Sequence, residues 1–329
     1  MRPIMRPGQI TRRSLLLAIP VLGLRAQAGK TPIPVRSLNH MTLRVSDFKR
    51  SLEFYQGLFG LPIQARQSDT VQLRIGPGYY MAVGGTAAGD KPGIDHFCMT
   101  TPGFEVARTT AILAQHGVTK SDARGAMKTW VRMRDETPEF YLGDPDGIAV
   151  QLQDPAYCGG KGVLGNQCFA VPEPAPHKGV LAVRGLNHFT LSVSNQQRSL
   201  AFYQELFGMP VQTRQGAGVV ILRVGAGPQS VALGARTGTP NIGHACLTME
   251  GFNPDKVMKT LADYGVKPRG DAAAPAKPLT SWVRMRGEDA GGAKDGTPEL
   301  YFTDPDGITI QLQDVSYCGG SGHLGNICR

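Results

Sequence analysis

One segment of about 140 residues occurs twice in this sequence. This duplication limits the folds that the chain can adopt more than any other feature. Leu38-Asn39-His40 returns as Leu186-Asn187-His188, and the triplet that begins at His96 returns at His244 with the same spacing of 148 positions. Each copy is about 140 residues long, whereas solenoid and propeller repeats span roughly 20 to 50 residues. The sequence therefore predicts two homologous domains, at residues 33–170 and 185–329, joined by a proline-rich linker at residues 171–184.

Within each copy a shorter pattern also occurs twice. Residues 40–45 alternate in polarity as a strand does, and an apolar stripe at helical spacing then runs from Phe48 to Phe59, with Ser46 as the candidate N-cap. Short strands punctuated by glycine follow. The second half of the copy repeats this order, with a helix at residues 104–116 and a hairpin around Asp144-Pro145-Asp146-Gly147. The chain thus contains four strand-helix-strand-strand-strand modules.

The first 28 residues are typical of an export signal. Arg12 and Arg13 precede an apolar run that ends at Leu24, and Ala26-Gln27-Ala28 offers the small residues of a cleavage site. The arginine pair indicates the twin-arginine type, and a Sec signal with a fortuitous pair is the alternative. Both predict a periplasmic or secreted bacterial protein with its signal at residues 1–28.

Charge and hydropathy argue against two classes of partner. The formal net charge is +9, but five arginines and no acid lie within the first 28 residues, so the remainder carries only +4. This is too small an excess to indicate nucleic-acid binding. No run approaches the roughly 18 apolar residues of a membrane-spanning helix. We therefore expect a small-molecule partner, and an assembly of identical chains is compatible with this reading.

The six cysteines fall into two classes. The pairs Cys158–Cys168 and Cys318–Cys328 each bracket a glycine-rich loop at the end of one copy, and in an exported protein such pairs predict disulfides. Metal thiolates are the alternative, although no further ligands lie nearby in the sequence. The remaining two cysteines each follow a histidine by two positions and are read as small buried residues beside a site.

Two histidines in each copy carry the candidate chemistry. His40 and His96 each lie on the opening strand of a module, and they recur as His188 and His244. A buried imidazole must be hydrogen-bonded or ligated, and a single one is more often a satisfied core residue. Paired modules would bring the two opening strands together, so that each copy presents two neutral nitrogen ligands on one concave surface.

At these residues the chain resembles the vicinal oxygen chelate superfamily of glyoxalase, bleomycin-resistance and extradiol dioxygenase proteins, over nearly its whole mature length. The landmarks are Leu38-Asn39-His40, the helix that ends at Leu58-Phe59-Gly60, the strand with His96, and the segment from Tyr141 through Asp144-Pro145-Asp146-Gly147 to Gln151. The resemblance implies an α+β fold in which four βαβββ modules pair into two domains with cupped mixed sheets. It does not fix the reaction, because the superfamily hosts many.

The resemblance also implies a metal site in each domain. Its ligands correspond to His40 and His96 in the first domain and to His188 and His244 in the second. The family's carboxylate ligand stands four residues after the glycine of the hairpin turn, where this chain has Gln151 and Gln311. Glu139 and Glu299 are candidate substitutes for it, and a solvated strand end is the competing reading. The implied ion is divalent, Fe(II) or Mn(II).

Two features favour the dioxygenase branch of the family. Three protein ligands leave coordination positions open for a bidentate substrate and oxygen, whereas glyoxalase-type sites use four. Tyr141 and Tyr301 stand where extradiol enzymes keep a catalytic tyrosine, although the histidine that precedes that tyrosine is missing here. The arginines that alternate beside this strand are candidates to bind substrate, with a solvated strand face as the alternative: Arg132, Arg134, Arg284 and Arg286.

Three hypotheses remain open at this stage. The first is a metal-dependent, ring-cleaving dioxygenase that acts on a small aromatic with adjacent oxygens. The second is a glyoxalase-like lyase or isomerase at the same site. The third is a non-enzymatic protein that sequesters a small molecule, which the glutamine at the third ligand position favours. Because each domain carries its own set of residues, we expect two sites per chain.

Overall fold

A computed structural model describes residues 31–271 and 274–328 of the chain, and residues from Thr31 onward form one compact unit. The export signal predicted at residues 1–28 lies outside the described residues. No helix among the described residues is both long and apolar enough to cross a membrane.

The first half of this unit, which we call lobe 1, is a single nine-stranded sheet with two helices. Its elements are β1 (Ser37–Val45), α1 (Phe48–Phe59), β2 (Ile63–Gln67), β3 (Thr70–Gly76), β4 (Tyr79–Gly85), β5 (Gly93–Thr100), α2 (Val106–Gln115), β6 (Thr119–Lys120), β7 (Lys128–Arg134), β8 (Thr137–Gly143) and β9 (Ala149–Gln153). The strand order is β2-β3-β4-β1-β5-β9-β8-β7-β6.

The second half, lobe 2, repeats this order of helices and strands. Its elements are β10 (Gly185–Val193), α3 (Gln196–Phe207), β11 (Val211–Gln215), β12 (Val219–Arg223), β13 (Ser230–Ala235), β14 (Asn241–Met249), α4 (Pro254–Asp263), β15 (Lys267–Pro268), β16 (Thr280–Arg286), β17 (Thr297–Thr303) and β18 (Thr309–Asp314), with a short 3-10 helix at Glu288–Ala290. The sheet order matches that of lobe 1.

Both sheets are mixed, as the sequence predicts. Strand β1 pairs parallel to β4 and antiparallel to β5, which joins two modules into one sheet. The same pairings join β10 to β13 and to β14. The α+β fold of four paired modules is therefore confirmed, with one small addition, because a two-residue strand (β6, β15) precedes β7 and β16.

Local details differ from the sequence-based expectations at helix ends. Asp47, not Ser46, caps α1, because its carboxylate accepts a hydrogen bond from the backbone N–H of Arg50. Helix α2 is shorter than the predicted 104–116, since it begins at Val106 and ends at Gln115. Gly60 ends α1 with a left-handed φ of 66°, a conformation that glycine adopts without a Cβ penalty.

The core runs through both lobes. Met41 and Leu43 on β1 are fully buried, as are their counterparts Phe189 and Leu191 on β10. Phe97 and Phe189 stack with ring centroids 4.9 Å apart, so the central strands of the two sheets pack against each other. Stacked aromatic rings at this distance add to the stabilisation from burial, and the lobes therefore share one core.

The hairpin turn of each lobe also contacts the helix of the other lobe. The carboxylate of Asp306 accepts hydrogen bonds from the backbone and side chain of Ser46 and from Arg50 at the start of α1. Asp146 does the same for Ser194 and Arg198 at the start of α3. A carboxylate at a helix N-terminus is favourable there, so each turn ties its lobe to the opposite helix.

Both disulfide pairs predicted from the sequence are present, at Cys158–Cys168 and at Cys318–Cys328. The proline-rich segment between the lobes is not a free spacer. Glu173 pairs with Ile63 through its backbone and with Arg66 through its side chain, and Leu181 is buried. This segment therefore packs along lobe 1.

The buried carboxyls of Asp144 and Asp304 should make stability depend on pH. Burial raises the pKa of each to about 6, against the opposing effect of hydrogen bonds from their own turns. Because the unfolded value is about 3.9, the folded state takes up these protons first, and their contribution to stability grows as the pH falls from about 7 to about 4.

The double variant Asp144→Asn, Asp304→Asn should lose this dependence, because an amide keeps the turn geometry and does not titrate. Urea unfolding between pH 4 and 8 would measure the difference in free energy of unfolding between wild type and variant. Asp122→Asn, at an exposed position, is the control. Parallel pH profiles for the wild type and the double variant would contradict the prediction.

Candidate metal and substrate site

Strand pairing places the predicted site residues in one row across each sheet. Thr42 on β1 lies opposite His96 on β5, and Gln151 on β9 lies opposite Tyr141 on β8. Side chains two residues apart share a face of a strand, so His40 lies on the face that carries Thr42. In lobe 2 the row contains His188, Thr190, His244, Gln311 and Tyr301.

The two imidazoles of each lobe converge on the glutamine. In lobe 1, Gln151 Oε1 lies 3.0 Å from His40 Nε2 and 2.9 Å from His96 Nε2. In lobe 2, Gln311 Oε1 lies 3.1 Å from His188 Nε2. The ring centroids are 5.6 Å apart in lobe 1 and 5.5 Å apart in lobe 2. The structure thus brings the three predicted donors of each lobe together.

Neighbouring side chains fix which nitrogen of His40 carries the proton. His40 Nδ1 lies 2.7 Å from Asn39 Oδ1, and Asn39 Nδ2 in turn donates to the backbone oxygen of Tyr157 at 3.0 Å. Because this second bond orients the amide, Asn39 Oδ1 must accept a proton from Nδ1. The neutral ring then has its lone pair on Nε2, which faces Gln151. His188, Asn187 and Tyr317 repeat these contacts.

His96 is oriented by a charged partner instead. Its Nδ1 lies 2.6 Å from the carboxylate of Asp95, which also accepts a bidentate ion pair from Arg124. Burial alone would raise the pKa of Asp95, but the hydrogen bonds from His96 and Arg124 outweigh it and the net shift is downward. The carboxylate therefore accepts the Nδ1 proton, and in the neutral ring the lone pair of Nε2 faces Gln151. In lobe 2 the position of Asp95 is taken by Gly243.

These tautomers leave three acceptor atoms facing one another. The Nε2 lone pairs of His40 and His96 both point at Gln151 Oε1, while the buried Gln151 Nε2 has no hydrogen-bond partner. Gln311 Nε2 is also buried without a partner. Thr42 Oγ1, 3.0 Å from His96 Nε2, can donate to one of these acceptors. The others are satisfied if the amide is reversed, so that its NH2 donates to the imidazoles, or if a cation lies among the three acceptors.

The donor set fits a divalent cation. Adjacent ligands on an octahedral ion with bonds of about 2.1 Å are about 3.0 Å apart, which matches the separations in lobe 1. Imidazole nitrogen and amide oxygen are suitable ligands for such ions. Among the described residues, no group of three or more His, Cys, Asp or Glu side chains is placed to hold a metal. The candidate third donor of each lobe is therefore the glutamine oxygen.

Burial keeps the imidazoles of His40, His188 and His244 unprotonated at neutral pH. It lowers the pKa of His40 and of His188 well below the usual value, and the neighbouring imidazole of each lobe lowers it further. Burial likewise lowers the pKa of His244 to about 4. A neutral imidazole has the lone pair that a metal needs, so these groups are ready to bind one.

Glu139 and Glu299, the candidate substitutes for the carboxylate ligand, instead hold neighbouring side chains through hydrogen bonds. Glu139 is buried and accepts hydrogen bonds from Arg134 at 2.8 Å, Tyr157 at 3.1 Å and Tyr141 at 3.2 Å. Glu299 has the same partners in lobe 2, namely Arg286, Tyr317 and Tyr301. Their charges are thus neutralised inside the protein, and each carboxylate holds the catalytic-candidate tyrosine in place.

The structure separates the two arginines of each predicted pair. Arg286 is fully buried against Glu299 and the backbone oxygen of Gly320, and Arg134 makes the equivalent contacts. Arg284 instead lines the cavity in front of the lobe 2 donors. Alternation along a strand places two side chains on one face, but only the cross-strand partner decides which of them is buried.

The cavities of the two lobes differ greatly in size. In lobe 2 the donors open onto a cavity of about 280 Å³, with an apolar wall that includes Val219, Ile221 and Trp282. In lobe 1 the cavity beside the donors measures about 20 Å³, which is room for about one water molecule. Only lobe 2 therefore presents the donors to a ligand in this conformation.

Three kinds of site residue were missed by sequence reasoning. Asn39 and Asn187 fix the histidine tautomers, and their position directly before each histidine was a usable signal. Tyr157 stacks on His40 with ring centroids 5.5 Å apart, and Tyr317 stacks on His188 at 5.6 Å. Each of these tyrosines directly precedes a disulfide cysteine. Arg236 lines the lobe 2 cavity from just beyond β13, and no local motif marks it.

The family of this chain follows from a sequence comparison. A model of the Glyoxalase/Bleomycin resistance protein/Dioxygenase superfamily matches residues 37–152 and 185–312. The chain therefore belongs to this superfamily, as its sequence motifs imply. The glutathione transferase FosA of Serratia marcescens is 29% identical over 122 residues, which cover 36% of this chain and 80% of that protein.

Solved structures share the two-lobed fold. The Mn(II)-bound glyoxalase from Novosphingobium aromaticivorans superposes with a TM-score of 0.58 at 15% identity, covering 85% of this chain and 82% of that one. Homoprotocatechuate 2,3-dioxygenase from Arthrobacter globiformis superposes with a TM-score of 0.57 at 17% identity, covering 86% and 81%. At these identities the likeness shows the fold.

Replacing the neutral donor by a carboxylate should strengthen metal binding. Gln311→Glu adds a negative charge at the third ligand position, and we expect at least about tenfold tighter Mn(II) binding in lobe 2. Competition with a chromophoric chelator measures the affinity. The control, Gln167→Glu, makes the same charge change at an exposed loop position. Equal or weaker binding by Gln311→Glu would mean that the amide oxygen is not a ligand.

Proposed function

We propose that this protein is an exported, metal-dependent enzyme that uses its lobe 2 site to cleave a small aromatic ring bearing two adjacent oxygens. The observation that carries the proposal is the convergence of His188, His244 and Gln311 at the base of a cavity with an apolar wall. The volume of about 280 Å³ is near the lower end for ligand pockets, roughly 300 to 1,000 Å³, and suits a single substituted ring.

The three protein donors would hold an Fe(II) or Mn(II) ion and leave further positions on it open. The bound ion would act as a Lewis acid on two neighbouring oxygens of the substrate. Three neutral ligands leave its charge uncompensated, in contrast to a set that includes a carboxylate. The site therefore favours substrates that bring negative charge, such as an ionised pair of ring hydroxyls.

Two arginines add to this preference for an anion. Arg284 and Arg236 line the lobe 2 cavity, and neither side chain makes a hydrogen bond or ion pair in the described residues. Both charges contribute to lowering the pKa of His244. Unpaired guanidinium groups at a cavity mouth bind carboxylates strongly. We therefore expect a ring with an acidic substituent, for which 3,4-dihydroxybenzoate is a suitable probe.

Tyr301 would act as a hydrogen-bond donor and not as a base. Burial, then the neighbouring Glu299, raises its pKa well above the usual value, so the phenol stays protonated. Its hydroxyl donates to Glu299 at 3.1 Å and would have to turn toward the substrate. Trp282 stacks on Tyr301 with centroids 5.4 Å apart, which fixes the ring plane beside the donors.

A reaction without oxygen at the same site is the second candidate. Residues 128–143 and 280–303 contain no histidine near the tyrosine that could move a proton. The loss of such a group costs roughly 10²- to 10⁴-fold in an acid–base step. The relative named as a glutathione transferase also supports a non-oxidative reaction. Oxygen consumption separates the two candidates.

Export is supported by the two disulfides, since such bonds persist in oxidising compartments. Each closes the loop that follows a site tyrosine, and Gln67 and Gln215 bind the backbone of these loops. The leader that the sequence predicts would deliver the chain to the periplasm or beyond, where these bonds are stable.

Matched histidine variants test the function and its location. We expect wild type to contain a transition metal in both lobes, and His40→Ala and His188→Ala each to halve the content measured by elemental analysis. Only His188→Ala should abolish oxygen uptake with 3,4-dihydroxybenzoate, by at least about 100-fold, because only the lobe 2 cavity is large enough for a substituted ring. A wild type with less than about a tenth of an equivalent of metal per lobe would remove the basis of the proposal.

If metal is present and His188→Ala stops product formation without any oxygen uptake by wild type, the non-oxidative candidate is correct. Tight binding of the aromatic that survives chelator treatment would instead indicate a protein that sequesters its ligand.

A further inference from the structure

One pair of equivalent residues, Arg44 and Ser192, differs greatly in side-chain size between the two lobes. Arg44 pairs with Gly84 where β1 runs beside β4, and Ser192 pairs with Gly234 where β10 runs beside β13. The two residues therefore occupy the same place in their sheets. Arg44 lies two positions beyond Thr42 and shares its face of the strand, so its side chain projects on the side that carries the donors.

The Arg44 side chain lies across the mouth of the lobe 1 site. Its guanidinium lies against Gly84, where an added Cβ would come within 2.6 Å of Nη1. It reaches the backbone oxygen of Gly85 at 3.5 Å and the exposed carboxylate of Asp69 at 3.9 Å. These contacts are long, and only 22% of the side chain is exposed. The Arg44 guanidinium is thus held mainly by its packing against the backbone at Gly84.

Arg44 separates two spaces that would otherwise be continuous. It lines the 20 Å³ cavity beside His40 and His96, and it also lines an open depression of about 670 Å³ on the outer side. In lobe 2 the equivalent residue is the small Ser192, which does not line the 280 Å³ cavity. His244 is partly exposed there, whereas His96 is buried.

We propose that Arg44 is a side-chain plug that keeps ligands out of lobe 1, and that Ser192 is the reason why lobe 2 admits them. Where this concerns substrate, it rests on the proposed function. Both lobes have the complete donor set. The residue at the position of Arg44 and Ser192 therefore determines which of the two donor sets a substrate can reach. The chain then binds one substrate molecule, in lobe 2.

Chemical footprinting of the metal-free chain tests the plug without any substrate. Diethyl pyrocarbonate acylates unprotonated imidazoles, and mass spectrometry resolves each histidine. We expect His188 and His244 to react at least tenfold faster than His40 and His96, with the exposed His177 and His323 as internal references. Arg44→Ser should raise the lobe 1 rates to those of lobe 2, and Ser192→Arg should lower the lobe 2 rates.

Arg44→Met is the matched control, because methionine has a similar reach without the charge. It should keep His40 and His96 protected, whereas local unfolding would expose them in both Arg44 variants. The proposal is overturned if Arg44→Ser leaves these two histidines as protected as in wild type, or if Arg44→Met exposes them equally.

Calorimetry of the Mn(II)-loaded chain with 3,4-dihydroxybenzoate, without oxygen, gives the number of binding sites. We expect one per chain for wild type, two for Arg44→Ser and none for Ser192→Arg. Two sites in wild type would overturn the plug and leave the proposed function intact. A normal footprint with no probe binding would support the plug and reject the proposed substrate class.

Discussion

The antiparallel pairing of β1 with β5, repeated by β10 and β14, is the interaction on which both the fold and the site depend. It joins two modules into one sheet and, in the same step, sets Thr42 opposite His96. A shift of one residue would turn every side chain of β1 to the other face, which would bury the His40 imidazole in the apolar core and expose Met41. The hydrophobic pattern of the strand therefore also fixes the position of the donors.

Proton positions impose a second constraint on the site. Asn39 and Asp95 both accept the Nδ1 protons of their histidines, which leaves the Nε2 lone pairs facing the glutamine. An imidazole held in this tautomer by a neighbouring acceptor is a better metal ligand than a free one. Asn39 thus favours an unprotonated Nε2 on His40, and Asn187 does so on His188. The buried amide nitrogen of Gln151 is the group whose partner changes if the amide turns.

The sequence predicts the strand-helix modules and the two histidines of each lobe because these are local or repeated features, whereas the glutamine position follows from the family resemblance. The strand and helix periods, the duplicated histidines and the glycine-rich cysteine loops each lie within short segments. The burial of Arg286 and the position of Arg236 in the cavity depend on side chains that are distant in the sequence. No local sequence pattern therefore predicts either of them. The sequence favours Ser46 as the cap of α1, but Ser46 instead contacts Asp306 of the other lobe. A contact across 260 residues leaves no periodic signal in the sequence.

The comparison of the two lobes separates what the site requires from what varies around it. Both lobes keep two histidines, an asparagine before the first of them and a glutamine at the third position, so the neutral trio is not the decay of one copy. Two of the differences, Arg44 against Ser192 and Asp95 against Gly243, lie at the mouth of the site and behind the second histidine. Access can change by exchanging one long side chain for a short one, because the plug takes no part in the donor geometry. Two copies of one site can thus share their chemistry and differ in whether a substrate reaches it.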